Sequence, residues 1–391
     1  MPATDSTRNE TACSDDDRCL APAFPLRIGI NGYGRIGRCL LRVAATRCAA
    51  GSLSVVAINE PAPLSSIAHL TQYDSIHGVY AGTVGVEGGR LIVDGRPIDV
   101  THARYPEELD WSPAGVDLLV EASGRYSTRA SLQSLLDAGC PRVLLSRLPD
   151  DDRDVDRTLI VGLNDHALTG RERLVSAASC TSSAIVPVLV CLDDAFGLET
   201  VMLTTFHSMM NDQPVLDGYH GVEPTGMRAA MRSIIPCATG LARGVTRLLP
   251  HLAGRVDATA LRVPVFDVSA VELTAELRHS VSTAAVNTLL QEETARRFRG
   301  TVTCSSVPHA SADFAHSPLS ATVDMTQTRV VGRSLVRCTV WFDNEWGYVN
   351  RLLDLALLWH DRLMHDSSAQ TSSNEIPGHP LPGAWRSAAP T

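Results

Sequence analysis

The apolar stretch Leu26-Arg-Ile-Gly-Ile30 runs directly into Asn31-Gly-Tyr-Gly-Arg-Ile-Gly-Arg38 and then into a helix-forming segment, Cys39 to Ala50. Gly32, Gly34 and Gly37 therefore make G-x-G-x-x-G between a strand and a helix. No other feature of the chain restricts its fold so strongly. The glycines permit a tight turn, a close approach of main chain to a pyrophosphate, and contact between helix and strand. The helix that follows brings free N–H groups and the positive end of its dipole to the same place. The expectation is a βαβ unit opening a doubly wound, Rossmann-type α/β domain that binds a dinucleotide.

The next apolar run, Leu53-Ser-Val-Val-Ala-Ile-Asn59, ends in Glu60, 23 residues beyond Gly37. An acidic residue at that place accepts from ribose hydroxyls, and its charge repels a 2′-phosphate, so NAD is favoured over NADP. An ordinary loop glutamate is the alternative. Two further strand ends follow, Val116 to Glu121 leading into Ala122-Ser123-Gly124, and Arg142 to Ser146. Ser123 and Ser146 are placed to line the cofactor crevice. Ahead of both, Thr83 to Val100 alternates and is punctuated by glycine, more like a hairpin than a βαβ unit.

Residues 174–184 read Leu-Val-Ser-Ala-Ala-Ser-Cys-Thr-Ser-Ser-Ala, with an apolar run from Ile185 to Leu192 beyond. This is a chain entering a helix with Cys180 at its first turn. Such a setting lowers a thiol pKa and yields a nucleophilic thiolate; a buried structural cysteine is the competing reading. Thr200 to Phe206 is β-rich and ends in His207, the best candidate for a base to pair with Cys180. Residues 208–232 form a long irregular segment, which points to a functional or interface loop. Ile234 to Gly240 ends in Thr239 and Gly240, a plausible phosphate cradle. Leu261 to Val268 reads as a strand carrying Arg262, either a surface residue or a phosphate clamp. Strands are expected over Val330 to Phe342, and an amphipathic helix over about Val349 to Leu363 after Asp343-Asn-Glu-Trp-Gly-Tyr348.

Composition removes other classes. The 391 residues carry a net charge of −9, which argues against nucleic acid or an anionic membrane as partner. No apolar run reaches the ~18 residues of a spanning helix. The ten cysteines show no metal or disulfide spacing, so a reduced, cytoplasmic protein is expected. There is no lysine: all 34 basic residues are arginine, which excludes a Schiff base on this chain. Residues 1–25 and 366–391 read as disordered tails.

Taken together, these motifs resemble the glyceraldehyde-3-phosphate dehydrogenase superfamily from about residue 26 to 365. The residues that carry the resemblance are the Asn31–Arg38 turn, Ser179-Cys180-Thr181, the strand ending in His207, Ile234-Ile-Pro with Thr239-Gly240, Arg262-Val-Pro, and Asp343-Asn-Glu-Trp-Gly-Tyr348. Within it the chain looks closest to the erythrose-4-phosphate dehydrogenase branch, through Ala57-Ile-Asn-Glu60, His69 to Ser75, His207 to Gln213 and Gln327-Thr-Arg-Val330. Glu60 stands where the glyceraldehyde-3-phosphate enzymes usually have Asp, and Met210 where they usually have Thr.

The resemblance implies an NAD-binding domain over 26–178, an α+β catalytic domain with a mostly antiparallel sheet over 179–343, and a C-terminal helix, 344–365, returning to the first domain. It implies Cys180 as nucleophile and His207 as base. Arg35, Ile36, Glu60, Arg104 and Asn344 would contact NAD, with Asn344 orienting the nicotinamide amide. Ser179, Thr181, Thr239, Gly240 and Arg262 would hold a small phosphorylated aldehyde. Segment 208–232 matches a loop that packs against a neighbouring subunit, so a homotetramer is implied. The chain departs from the family at Ser182-Ser183, where Thr-Asn is usual, and at Gly226, where relatives have a phosphate-binding Arg. The implied activity is oxidation of erythrose 4-phosphate to 4-phosphoerythronate, on a route toward pyridoxal phosphate. The alternatives are the phosphorylating glycolytic reaction, or a catalytically weak binding paralogue.

Overall fold

The structure is a computed structural model that describes residues 25–47, 51–219 and 224–373. The opening unit is β1 (Leu26–Asn31), α1 (Arg35–Arg47) and β2 (Leu53–Asn59), with the two strands parallel. After it come α2 (Leu64–Gln72) and a small ribbon, β3 (Tyr73–Asp74) with β4 (Gly78–Val79). β5 (Val84–Glu87), β6 (Arg90–Val93) and β7 (Arg96–Thr101) form an antiparallel meander, as the alternation over Thr83–Val100 implies; β7 also lies parallel to β2. β8 (Leu118–Glu121), α3 (Arg129–Asp137), β9 (Val143–Leu145), β10 (Arg157–Thr158) and β11 (Leu174–Ser176) complete the first sheet. Its order is β10-β11-β9-β8-β1-β2-β7-β6-β5. The winding reverses between β1 and β8, and a crevice opens at their carboxyl ends.

Both faces of this sheet are covered, so its central strands are continuous apolar runs. Ile28 and Ile30 pack with Leu40 and Val43 of α1, and Leu119 with Leu132 and Leu135 of α3 on the opposite face. α1 starts at Arg35, four residues earlier than expected, because Gly37 lies inside its first turn and not in the loop before it. A Cβ on Gly37 would stand 2.4 Å from the Gly32 carbonyl oxygen.

The second sheet follows α4 (Cys180–Phe196), whose residues from Ser182 to Leu192 are all buried. Its strands are β12 (Leu198–His207), β13 (Ile235–Cys237), β14 (Val256–Arg262), β15 (Ser269–Leu277), β16 (Val302–Ser305), β17 (Ala321–Val331) and β18 (Leu335–Phe342). The order is β13-β14-β12-β15-β18-β17-β16, antiparallel except for β12 with β14 and β16 with β17. α5 (Leu241–Leu248) and α6 (Thr283–Arg296) pack with α4 over one core. α7 (Trp346–Ser373) then leaves this sheet and buries Val349, Leu352, Leu353 and Trp359 against the core of the first.

Two expected elements have different limits. The strand anticipated over 261–268 ends at Arg262. β14 is paired on both sides there, and Pro264 has no N–H to continue the ladder. α7 runs well past Leu363 to Ser373, since no proline interrupts it before Pro377. The expected tails, 1–25 and 366–391, lie outside the described residues, apart from Pro25 and the helical main chain of 366–373. No helix among the described residues is long and apolar enough to cross a membrane.

Gly37→Ala forces main chain apart at the first turn of α1. It should cost about 1–3 kcal/mol of stability, the usual penalty for overpacking, read as a lower denaturant midpoint with unchanged slope.

Candidate active site

The turn before α4 is unusual in its main chain. Ala178, fully buried, has φ +56°, a left-handed conformation that costs a residue with a Cβ roughly 1–2 kcal/mol. The Tyr348 hydroxyl, from α7, donates to its carbonyl at 3.2 Å and holds it there. Ser179 then caps the helix, its hydroxyl accepting from the Ser182 N–H at 3.1 Å. Cys180 is the first helical residue. Ser182 and Ser183, where the chain departs from its relatives, are buried. A Cβ on Gly244 of α5 would stand 2.9 Å from the Ser182 hydroxyl oxygen, so this position packs between helices.

Cys180 Sγ lies 4.0 Å from His207 Nε2 and 3.8 Å from the Thr181 hydroxyl. His207 Nδ1 is 2.9 Å from the Ser208 carbonyl. A carbonyl only accepts, so Nδ1 carries the hydrogen and the Nε2 lone pair of the neutral ring faces the thiol. Burial pushes the Cys180 thiol up, and it outweighs hydrogen bonding to Thr181 and to the helix main chain. Burial likewise pushes His207 down, with the Arg262 charge adding to it. This corrects the expectation of a lowered thiol pKa: the helix N-terminus acts in that direction, but desolvation of the half-buried sulfur is larger. The pair rests as thiol and neutral imidazole, with the base aimed at the proton it would take.

Alkylation of Cys180 by iodoacetamide in the protein without cofactor should accordingly accelerate as pH rises from neutral into the alkaline range. A rate already maximal at pH 6 would show an ion pair instead.

Asn344 is locked by two buried hydroxyls. Its Oδ1 accepts from Ser208 at 2.9 Å and from Ser269 at 2.8 Å. These serines are 0% and 1% exposed. With Oδ1 committed on both sides, the Asn344 Nδ2 is left as donor, which suits an amide oxygen such as that of nicotinamide. Sequence reasoning missed both serines, which come together where β12, β15 and β18 end.

Groups suited to phosphate are also present. Arg262 pairs in register with His207 across β14 and β12. Its guanidinium holds both Asp212 oxygens, at 2.8 and 3.0 Å, and touches Met210 Sδ at 3.6 Å. The Thr239 hydroxyl accepts from the Leu241 N–H at 3.2 Å, and Gly240 caps α5. Arg243, not singled out in the sequence, brings its guanidinium to 3.5 Å from the place a Cβ would take on Gly240. Gly226 sits in a short 3-10 turn, Pro224–Met227, and nearby Arg228 is held by Asp217 at 3.2 Å.

The dinucleotide crevice has a volume of about 520 Å³. It lies between the carboxyl ends of β1, β2, β7 and β8, and Gly32, Gly34, Glu60, Arg104 and Ser123 are among its lining residues. A Cβ on Gly34 would meet nothing within 4 Å; it would project into free space at the start of α1, the space a pyrophosphate needs. Glu60 accepts from the Tyr33 N–H at 3.0 Å and from Ala62 at 3.3 Å, so its carboxylate stands over the same turn. The donors and the carboxylate fit NAD. Three expected contacts narrow. Arg35 commits its guanidinium to Glu345 and Asp74, leaving its main chain for a cofactor. Ile36 is half-buried and packs against the core that α7 shares. Ser146, which follows β9, commits its N–H to the Glu121 carbonyl and is not among the residues around that crevice.

A strand-turn-helix phosphate site and a half-buried Cys–His pair on one chain are the parts an NAD-dependent oxidoreductase needs. Comparison with known families matches residues 26–129 to the NAD binding domain of glyceraldehyde 3-phosphate dehydrogenase and residues 179–344 to its C-terminal domain, together well over half the chain. The protein belongs to the glyceraldehyde-3-phosphate dehydrogenase superfamily.

Gly34→Ala should leave the melting temperature unchanged, since the added methyl meets nothing, while weakening NAD binding at least tenfold in a fluorescence titration.

Proposed function

We propose that the protein oxidises erythrose 4-phosphate to 4-phosphoerythronate through a thioester on Cys180. Cys180 Sγ attacks the aldehyde carbon as its proton passes to His207 Nε2, and the new oxyanion takes that proton to give a thiohemiacetal. His207 then withdraws the proton again as the hydride leaves the carbon. NAD, when bound, accepts that hydride. Asn344, fixed by Ser208 and Ser269, orients the amide of the ring; Arg262 and Thr239 hold the substrate phosphate once Asp212 gives way. Water completes the cycle by cleaving the thioester.

The observation that carries the choice of water is position 226. Phosphorolysis needs inorganic phosphate held beside Cys180, best by a bidentate arginine. Gly226 supplies no side chain, and Arg228 is engaged by Asp217. Loss of one charge-assisted contact costs about 1.5–3 kcal/mol, or roughly 10- to 150-fold in affinity. Arg243 beside Gly240 favours a second reading, phosphorolytic oxidation of glyceraldehyde 3-phosphate, because it could replace the missing cation. NADH formation with each aldehyde across a phosphate titration separates the two. Erythrose 4-phosphate preferred without phosphate dependence is expected; saturable phosphate dependence with glyceraldehyde 3-phosphate preferred would establish the second. Cys180→Ser should abolish turnover but not NAD binding, and His207→Asn should slow it roughly 10²–10⁴-fold.

The same reading includes a homotetramer. Val215, Leu216 and Tyr219 of the 208–232 segment are largely exposed in the single chain, which suits burial against another subunit. Sedimentation at micromolar concentration should give four chains per particle.

A further inference from the structure

A chain of hydrogen bonds crosses the floor of the crevice and ties together the ends of β7, β2, β1 and β8. The Ala103 N–H donates to Asn59 Oδ1 (2.9 Å), Asn59 Nδ2 to Asn31 Oδ1 (2.8 Å), and Asn31 Nδ2 to Glu121 Oε2 (2.5 Å). From the other end, the Ser123 N–H donates to Glu121 Oε1 (2.8 Å). Asn31, Asn59 and Glu121 are all buried. The chain therefore starts and finishes on main-chain donors, and neither can be reversed. Turning Asn59 over would set its NH2 against the Ala103 N–H and its oxygen against the Ala103 carbonyl, which now accepts from Nδ2 at 3.1 Å. The direction of both amides follows from the Ala103 end, so residue 121 must accept from Asn31 on one oxygen and from the Ser123 N–H on the other, which a carboxylate can do and so can an acid protonated on Oε1. A glutamate meets that demand and a glutamine does not.

The remaining partner is the hydroxyl of Ser123, a residue that lines the crevice; it contacts Glu121 Oε1 and accepts from the Arg125 N–H at 3.2 Å, which leaves its oxygen one lone pair and its hydrogen to divide between Glu121 and a ligand. When Glu121 is ionised, the hydroxyl must give its hydrogen to the carboxylate and show only a lone pair to the crevice. When Glu121 is protonated, the acid donates to Ser123 Oγ, and the serine hydrogen is freed toward the crevice. We propose that Glu121 is a proton-linked positioning residue: a dinucleotide binds with Glu121 protonated and the Ser123 hydroxyl donating to one of its acceptor oxygens. A proton enters from solvent as the cofactor binds and returns to solvent as it leaves.

Burial pushes the Glu121 carboxyl up to about 7, against the hydrogen bonds from Ser123, Asn31 and Gly124, so both states are available near neutral pH. The ionisable groups around it are Tyr126 and Arg125 in the loop after β8, Arg147 after β9, which donates to the Gly124 carbonyl, Arg104 after β7, and Glu60 after β2. The sign follows from linkage. Binding that favours the protonated acid raises its pKa further, so affinity is greatest below about 7 and falls as pH climbs through that value, by up to about tenfold per unit.

Calorimetry of NAD binding to the full chain at pH 7.5, in two buffers of different ionisation enthalpy, counts the protons. The wild type should take up a substantial fraction of one proton, and its Kd should weaken several-fold from pH 7 to 8.5. Ser123→Ala should abolish the uptake and flatten the profile, whereas Ser123→Thr, which keeps the hydroxyl, should retain both. Glu121→Gln should also lose the uptake; melting curves identify a folding defect in that variant, and the Ser123 pair then decides. No uptake by the wild type, or uptake unchanged in Ser123→Ala, overturns the proposal.

Discussion

The relation between the two halves of the site depends on one ion-pair cluster. Arg35 directs Nε and one terminal nitrogen at the Glu345 carboxylate and the other terminal nitrogen at Asp74. The same Glu345 carboxylate is 2.9 Å from His77 Nε2, on a side chain only 1% exposed. Burial alone would raise both carboxyls, yet hydrogen bonding to His77 and Arg35 holds Glu345 below its usual range, and hydrogen bonds from His77, Ile76 and Arg35 do the same for Asp74. Removing one member of so buried a pair typically costs about 3–5 kcal/mol. The geometry matters more than the energy here. Arg35 follows Gly34, and Glu345 follows Asn344. The turn at Gly34 and the amide of Asn344 are thereby fixed to each other across 310 residues of sequence.

Much of the architecture could be read directly. Three glycines between a strand and a helix allow few folds, and the apolar runs after them required a sheet covered on both faces. That Cys180 starts a helix and His207 ends a strand was also legible, because both are local signals. The limits that failed did so for tertiary reasons. The strand through Arg262 stops early because β14 has neighbours on both sides and cannot tolerate Pro264. The thiol pKa was assigned the wrong direction because local sequence reports the helix dipole but not the burial that opposes it.

The residues that escaped notice act at a distance. Ser208 and Ser269 are 61 positions apart and meet at Asn344 only through the pairing of β12 with β15 and β15 with β18. Asn31, Asn59 and Glu121 each end a separate parallel strand, so nothing in their spacing reveals that they touch. Arg35 looked like a cofactor ligand by position, whereas its side chain serves the contact between domains. A motif identifies which main chain approaches a ligand far better than it identifies where long side chains point.

The bond from Tyr348 to the Ala178 carbonyl has a consequence for how the protein comes into being. The left-handed turn that presents Cys180 is held by a helix that starts only at Trp346. While a ribosome is still extending the second sheet, Cys180 has been made but its supporting hydroxyl has not. The support for Cys180 therefore arrives only with α7, and a nascent fragment that stops short of α7 carries the thiol without the means to hold it in place.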